Sequence, residues 1–151
     1  MKYQIGLLFV LINLGFINAQ TTDYFSETIG FSCSFVGKPT YVVKKMHQYI
    51  SASRYDEIRQ LLYSHNTAER IMAVIVYEEL MFSGKLTLRR DQKKTIRELY
   101  SSESKVSVCS GCTFFGSATV KDLLNNIDSY GMGRKIRSWV KRELMKQAVI
   151  N

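Results

Sequence analysis

One spacing of residue types in this sequence is typical of a chemical motif, namely two cysteines two residues apart in Cys109-Ser110-Gly111-Cys112. In an oxidising compartment such a pair is expected to close a local disulfide, and this is our first interpretation. The alternative is a thiol–disulfide oxidoreductase, in which Cys109 would attack and Cys112 would resolve the mixed disulfide. That chemistry needs a first cysteine of lowered pKa, usually at the start of a helix, and no convincing helix is evident before Thr119.

A metal centre is the third interpretation of the cysteine pair. Cys109 and Cys112 would then join two of the side chains Cys33, His47 and His65 in a tetrahedral site. Only the pair itself is encoded by spacing, so we predict neither a metal nor another cofactor. Cys33 can also form a disulfide with Cys109 or with Cys112, which would leave one thiol free.

Lysine and arginine side chains are concentrated in two helical stretches of a chain whose formal net charge is +8. The first row is Arg89, Arg90, Lys93, Lys94 and Arg97, and the second is Arg134, Lys135, Arg137, Lys141, Arg142 and Lys146. The plainer interpretation is that these charges only solvate the surface. The functional hypothesis is a basic face, and the residues expected to contact a partner are Arg90, Lys93, Arg97, Arg134, Arg137 and Lys141.

The first residues predict export. Lys2 precedes an apolar stretch from Ile5 to Ile17, and the small residue Ala19 stands before Gln20. This pattern predicts a signal peptide over 1–19, followed by an arm over 20–39 and a helical domain over 40–151. The apolar stretch is too short and too interrupted for a transmembrane helix. A periplasmic or secreted protein meets headgroups, polysaccharides and acidic proteins, so we expect a protein or anionic surface partner and no nucleic acid.

A nearly continuous apolar run organises the rest of the chain. From Ile71 to Tyr77 every residue is apolar or aromatic, so this helix is expected in the core. Asn66 should cap it, with Glu69 reaching back to close a capping box. The segment 105–116 is the hardest to assign, with a short strand possible at Val106 to Val108. Helices are predicted over 40–51, 53–63, 67–84, 90–101, 119–127 and 134–148, and the predicted fold class is all-α.

A short pattern recurs along these helices. Ile58-Arg59-Gln60-Leu61 returns as Ile96-Arg97-Glu98-Leu99 and, more weakly, as Ile136-Arg137-Ser138-Trp139. Over about 53–84 the chain resembles HEAT-type and armadillo-type helical repeats, with Arg70 shortly before Ala73 in a buried second helix. The resemblance is poorer over 90–116. It implies a stack of helical hairpins and a binding surface rather than a catalytic centre.

These observations together predict an exported, non-catalytic binding module with an irregular N-terminal arm. The last helix is amphipathic, with Ile136, Trp139, Val140 and Leu144 opposite its charges. It fits the polar end of a helical stack, which we favour, or a helix that lies on a membrane surface.

Overall fold

A computed structural model describes residues 26–150 of the protein. The predicted signal peptide over 1–19 lies outside these residues. The structure is a mixed α/β fold with 55% helix and 16% strand, so the prediction of an all-α stack of helical hairpins is wrong. Within residues 26–150, no helix is long and apolar enough to cross a membrane.

Six helices and three strands make up the part of the chain that the structure describes. Their order is β1 (Thr28–Cys33), α1 (Tyr41–Ser51), α2 (Tyr55–Leu61), α3 (Thr67–Phe82), α4 (Arg90–Tyr100), β2 (Lys105–Gly111), β3 (Phe114–Thr119), α5 (Val120–Leu124) and α6 (Met132–Ile150). Each of these helices overlaps one predicted from the sequence. The strands replace the irregular arm and the segment that was hardest to assign.

The three strands form one sheet in the order β1-β2-β3. Strands β2 and β3 form an antiparallel hairpin, whereas β1 pairs with β2 in parallel. A parallel pair needs a long crossover connection, and here four helices, α1 to α4, provide it. The hairpin occupies the stretch in which the helical-repeat resemblance requires a second buried helix. This arrangement removes the basis for a HEAT-like stack.

Helix α3 is the centre of the core. Its residues from Ile71 to Tyr77 are all buried, and it contacts α1, α2, α5, α6 and β2. Asn66 caps it as predicted, because its Oδ1 accepts hydrogen bonds from the backbone N–H groups of Ala68 (2.9 Å) and Glu69 (3.2 Å). A helix that is apolar on nearly every side is stable only when other elements cover all of it.

The Glu69 side chain differs from the capping box that the sequence suggests. Its two oxygens accept hydrogen bonds from Lys45 Nζ and from Ser64 Oγ, each at 2.6 Å. Ser64 Oγ in turn accepts the backbone N–H of Asn66 at 3.1 Å. Ser64 therefore relays the contact that Glu69 would make directly in a capping box, and Glu69 joins α3 to α1.

A partly buried polar cluster joins α3, α4, α5 and α6. The Arg137 guanidinium donates to Glu78 Oε2 (2.7 Å), to the Tyr100 hydroxyl (2.9 Å) and to the backbone oxygen of Leu124 (2.8 Å). Tyr100 donates to the other Glu78 oxygen at 2.6 Å. Burial, together with the adjacent Glu78 carboxylate, raises the pKa of Tyr100 to about 12, so this hydroxyl stays protonated at neutral pH. We call Arg137, Glu78 and Tyr100 the Arg137 cluster.

A disulfide between Cys33 and Cys109 joins β1 to β2. Their Cα atoms lie 5.7 Å apart, and both residues are buried. Gly30 lies opposite Cys109, and a Cβ at Gly30 would overlap both sulfur atoms, so this position requires glycine. Cys112, in the turn of the hairpin, is an exposed free thiol. The structure thus has the Cys33 pairing in place of the local Cys109–Cys112 bridge that we placed first.

We expect a digest of the unreduced protein to contain one linked peptide pair, joining Cys33 to Cys109. The variant C33A removes a cross-link between residues 76 positions apart, and we expect it to lower the free energy of unfolding by about 2–4 kcal/mol. Urea denaturation measures this loss, and C112A serves as the matched control with little expected change. A linked peptide that contains Cys112 would contradict the assignment.

Replacing Arg137 by alanine should destabilise the protein, because it leaves the Glu78 carboxylate partly buried without its cation. We expect a loss of about 2–3 kcal/mol in urea denaturation. The matched control is R97A on the exposed face of α4, which should change stability by less than about 0.5 kcal/mol. In the double variant E78A/R137A the loss should be smaller than the sum of the two single losses. Equal stability of R137A and R97A would refute this role.

Candidate functional site

A surface groove with a volume of about 520 Å³ lies between the start of α6 and strand β1. Three of its lining residues are cations from α6, namely Arg134, Lys135 and Arg142. The aromatic side chains of Phe31 and Trp139 form one wall, with their ring centroids 5.4 Å apart. A groove of this composition can hold an anionic group against arginine while an apolar or planar group packs on the aromatic wall.

Two further grooves continue this surface along β1 and α1. A groove of about 450 Å³ lies on the other side of Phe31 and Trp139, and Lys44 and His47 line it. The next groove, of about 220 Å³, shares Lys44 with it and adds Lys38. Because neighbouring grooves share lining residues, the three form one track, which we call the basic groove. Its lining cations are Lys38, Lys44, Arg134, Lys135 and Arg142.

The start of α6 is fixed by Asp128. Its carboxylate accepts hydrogen bonds from the backbone N–H groups of Met132 (2.6 Å) and Gly133 (3.0 Å), both in the first turn of the helix. A Cβ at Gly133 would overlap the backbone oxygen of Leu123, so glycine allows α6 to approach α5 closely. This close approach sets the direction of α6 and therefore the position of Arg134 at the groove.

Within residues 26–150, no carboxylate forms a salt bridge with the five cations of the basic groove. Among residues 26–150, no aspartate or glutamate lines any of its three parts. Of the nine salt bridges present in the same range, one involves a groove residue, His47, which pairs with Glu143. All five are exposed. The groove is therefore a surface of uncompensated positive charge with aromatic side chains between the cations.

One buried carboxylate lies beside the groove and belongs to the packing of α1 on α6. Glu143 accepts hydrogen bonds from His47 Nδ1 at 2.7 Å and from Lys146 Nζ at 2.8 Å. Burial acts to raise the pKa of Glu143, but the hydrogen bonds and charges of Lys146 and His47 outweigh it, so this pKa lies below its ordinary value. Both oxygens of Glu143 are hydrogen-bonded to these two partners. Its negative charge is therefore directed to His47 and Lys146 rather than to the five cations of the groove.

The two rows of cations predicted from the sequence have different surroundings. Of the predicted contacts on α6, Arg134 lines the basic groove, whereas Lys141 lines a separate, mainly apolar groove with Phe82 and Met145. Arg137 belongs to the Arg137 cluster and is half-buried, so its guanidinium serves internal packing. On α4 the three predicted contacts, Arg90, Lys93 and Arg97, are exposed and line none of the three parts of the basic groove.

The cysteine motif does not form a compact site. Cys109 lies in β2 and is bonded to Cys33, while Cys112 is exposed in the turn that follows. The motif spans a hairpin, whereas activation of a first cysteine usually relies on the start of a helix. Within the described residues, no group of three or more histidine, cysteine, aspartate or glutamate side chains could hold a metal ion.

The sequence analysis did not identify the aromatic wall of the groove. Phe31 lies in a segment that we expected to be irregular, and Trp139 was assigned to the apolar face of the last helix with Ile136 and Val140. Those two residues are buried, but Trp139 stands at the edge of that face and borders the groove. The signal that sequence could have provided is the position of Trp139 between Lys135 and Arg142 on the helix surface.

Comparisons of the chain with protein-family models, with curated proteins and with solved structures each found no match.

The Glu143 contacts predict a specific dependence of stability on pH. A carboxyl group with a lowered folded-state pKa stabilises the fold above its unfolded-state pKa, about 4.3, and this contribution is lost as the pH falls through the folded-state value. We expect E143Q to be about 1–2 kcal/mol less stable than the wild type at pH 7. The difference should shrink as the pH falls below about 4.

Urea denaturation at a series of pH values measures this difference. The matched control is E98Q, because Glu98 is exposed on α4 and its distance to Lys94 is 3.9 Å. E98Q should follow the wild type at every pH. A stability difference between wild type and E143Q that stayed constant down to pH 3 would contradict the role given to ionised Glu143.

Proposed function

We propose that this protein acts outside the cytoplasm as a non-catalytic binding module whose basic groove holds an anionic surface partner. The observation that carries the proposal is the track of five exposed cations interleaved with aromatic side chains, and none of these five cations has an ion-pair partner among residues 26–150. Like charges that face one another without acidic partners repel, so the arrangement costs the isolated protein stability. A bound polyanion neutralises the cations, so relief of their mutual repulsion adds to the free energy of binding.

The shape of the groove favours an extended partner over a small one. Its three parts follow one another along β1, α1 and α6, and each opens to the surface and is lined by at least one lysine or arginine. A polymer or surface with repeated negative charges can contact several of these cations at once. Several weak contacts made together give useful affinity, since each added contact is formed within an existing complex.

Two features support a location outside the cytoplasm. The first is the pattern of Lys2 followed by an apolar stretch and Ala19, which is typical of a signal peptide. The second is the Cys33–Cys109 disulfide, because disulfides persist mainly in oxidising compartments. Anions that an exported protein meets there include lipid headgroups, surface polysaccharides and acidic proteins.

A polyanion column tests the proposal. We expect the wild type to bind heparin with an affinity that falls steeply with salt, because bound cations displace counterions. The variant R134E/R142E reverses two charges of the groove and should elute at clearly lower salt, with binding weakened about tenfold or more. The slope of log affinity against log salt should decrease in magnitude by about two or more.

The matched control is R90E/R97E on α4, which makes the same change of net charge at exposed positions outside the groove. It should affect binding much less than R134E/R142E. Equal losses for the two variants would indicate a general charge effect and would refute a specific role of the groove. A loss confined to R90E/R97E would assign the partner to α4 instead. Circular dichroism spectra should be unchanged in both variants.

A further inference from the structure

The turn between β1 and α1 presents two apolar side chains to solvent. Phe35 is 91% exposed and Val36 is 68% exposed, and they are adjacent at the tip of the turn. A single exposed apolar residue is ordinary, but two neighbouring ones that are largely exposed forgo the hydrophobic free energy that their burial would give. We call residues 34–37 the apolar turn.

The base of the apolar turn is tightly held. Cys33 donates its backbone N–H to the Lys38 oxygen at 3.0 Å, and Gly37 donates to the Ser34 oxygen at 3.1 Å. Cys33 is also anchored in the sheet by its disulfide to Cys109. The tip therefore projects from a fixed frame, so the two apolar side chains can enter a partner without the cost of ordering a loose loop.

The backbone just beyond the turn closes this frame. Thr40 donates its backbone N–H to the Gly30 oxygen at 2.9 Å, and its hydroxyl lies 3.3 Å from both the N and the O of Gly30. The chain therefore leaves β1, forms the apolar turn and returns to β1 before α1 begins.

Cations surround the base of the apolar turn. Lys38 and Lys44 line the adjoining part of the basic groove, and the half-exposed ring of Tyr41 lies there with them. No acidic side chain among the described residues lines this part of the groove. An apolar tip with a tyrosine and lysines at its base matches the layers of an anionic membrane surface, where apolar groups enter the acyl region and cations meet headgroup phosphates.

We propose that the anionic partner is a lipid bilayer surface and that the apolar turn inserts into it, with Phe35 and Val36 below the headgroups. This inference rests on the proposed function and names the partner of the same groove. A hydrated polysaccharide would satisfy the cations equally well but would leave both apolar side chains in water. The bilayer is the partner that uses the turn and the groove together, because lipid supplies both anionic headgroups and an apolar layer.

Vesicle binding tests the inference, with the processed chain as purified after export. We expect binding to vesicles of phosphatidylcholine and phosphatidylglycerol and weak binding to phosphatidylcholine alone. The variant F35S/V36S should bind the anionic vesicles at least about tenfold more weakly, because it removes the groups that enter the bilayer. The same variant should keep its retention on heparin, because the cations of the basic groove are unchanged.

Phe82 provides the matched control, since it is 90% exposed at the end of α3 and lines none of the three parts of the basic groove. We expect F82S to bind anionic vesicles as the wild type does. As an independent measurement, brominated lipid should quench the added tryptophan fluorescence of F35W and not that of F82W. Circular dichroism confirms that each variant is folded.

The outcomes separate this inference from the proposed function. A wild type that binds heparin but not anionic vesicles overturns the bilayer as partner and supports a soluble polyanion. Equal vesicle binding by F35S/V36S and the wild type overturns insertion of the apolar turn. Equal binding to vesicles with and without phosphatidylglycerol overturns the role of headgroup charge. A wild type that binds neither heparin nor vesicles overturns both proposals.

Discussion

Helix α3 has no polar face, and the rest of the fold follows from the need to cover it on every side. An amphipathic helix can rest on one partner, but the run from Ile71 to Tyr77 is buried around the full circumference. Helices α1, α2, α5 and α6 cover parts of it, and strand β2 covers another. A stack of helical hairpins buries each helix against the next one along the stack. This single core helix instead gathers helices and a small sheet around one centre, and the basic groove runs along β1 and the two covering helices α1 and α6.

The polar contacts inside the fold orient the helices that hydrophobic burial alone would leave free to slide. Arg137 has donors directed to a carboxylate, a hydroxyl and a backbone oxygen on three other helices, so it fixes both the rotation and the height of α6. Glu143 and Asp128 act on the same helix, one through α1 and the other at its first turn. This geometry shapes the basic groove because three of its five cations, Arg134, Lys135 and Arg142, project from α6. A rotation of that helix by about 60° would bring half-buried Arg137 to the position of exposed Arg134 at the groove.

The sequence predicted the helices well and the sheet poorly, for physical reasons. Helix signals are local: Asn66 as a cap, and apolar residues at helical spacing, act within a few residues. Strand β1 has no regular alternation and contains Gly30, whose importance appears only when Cys109 lies opposite it. Its pairing with β2 joins segments far apart in the chain, which no local pattern reports.

The groove was equally difficult to predict, because Phe31 and Trp139 become neighbours only after the sheet and α6 have packed. The cations of the last helix were visible in the sequence, but burial separates Arg137 from Arg134.

The distribution of acidic side chains supports the proposal that the basic groove binds an anion and does not serve solubility alone. Within residues 26–150, about half of the lysines and arginines outside the groove have an acidic partner, as in Lys45 with Glu69 and Lys121 with Glu103. Charges that serve only solubility are expected to be mixed in sign, since interspersed acids lower the repulsion without loss of solvation. In the basic groove the described part of the chain supplies no acid, and the nearby Glu143 is buried and hydrogen-bonded to His47 and Lys146. The groove sets Trp139 and Phe31 among cations that have no acidic partner in residues 26–150. An anion that bound there would stabilise the folded protein, because it would bind the folded groove and not the unfolded chain.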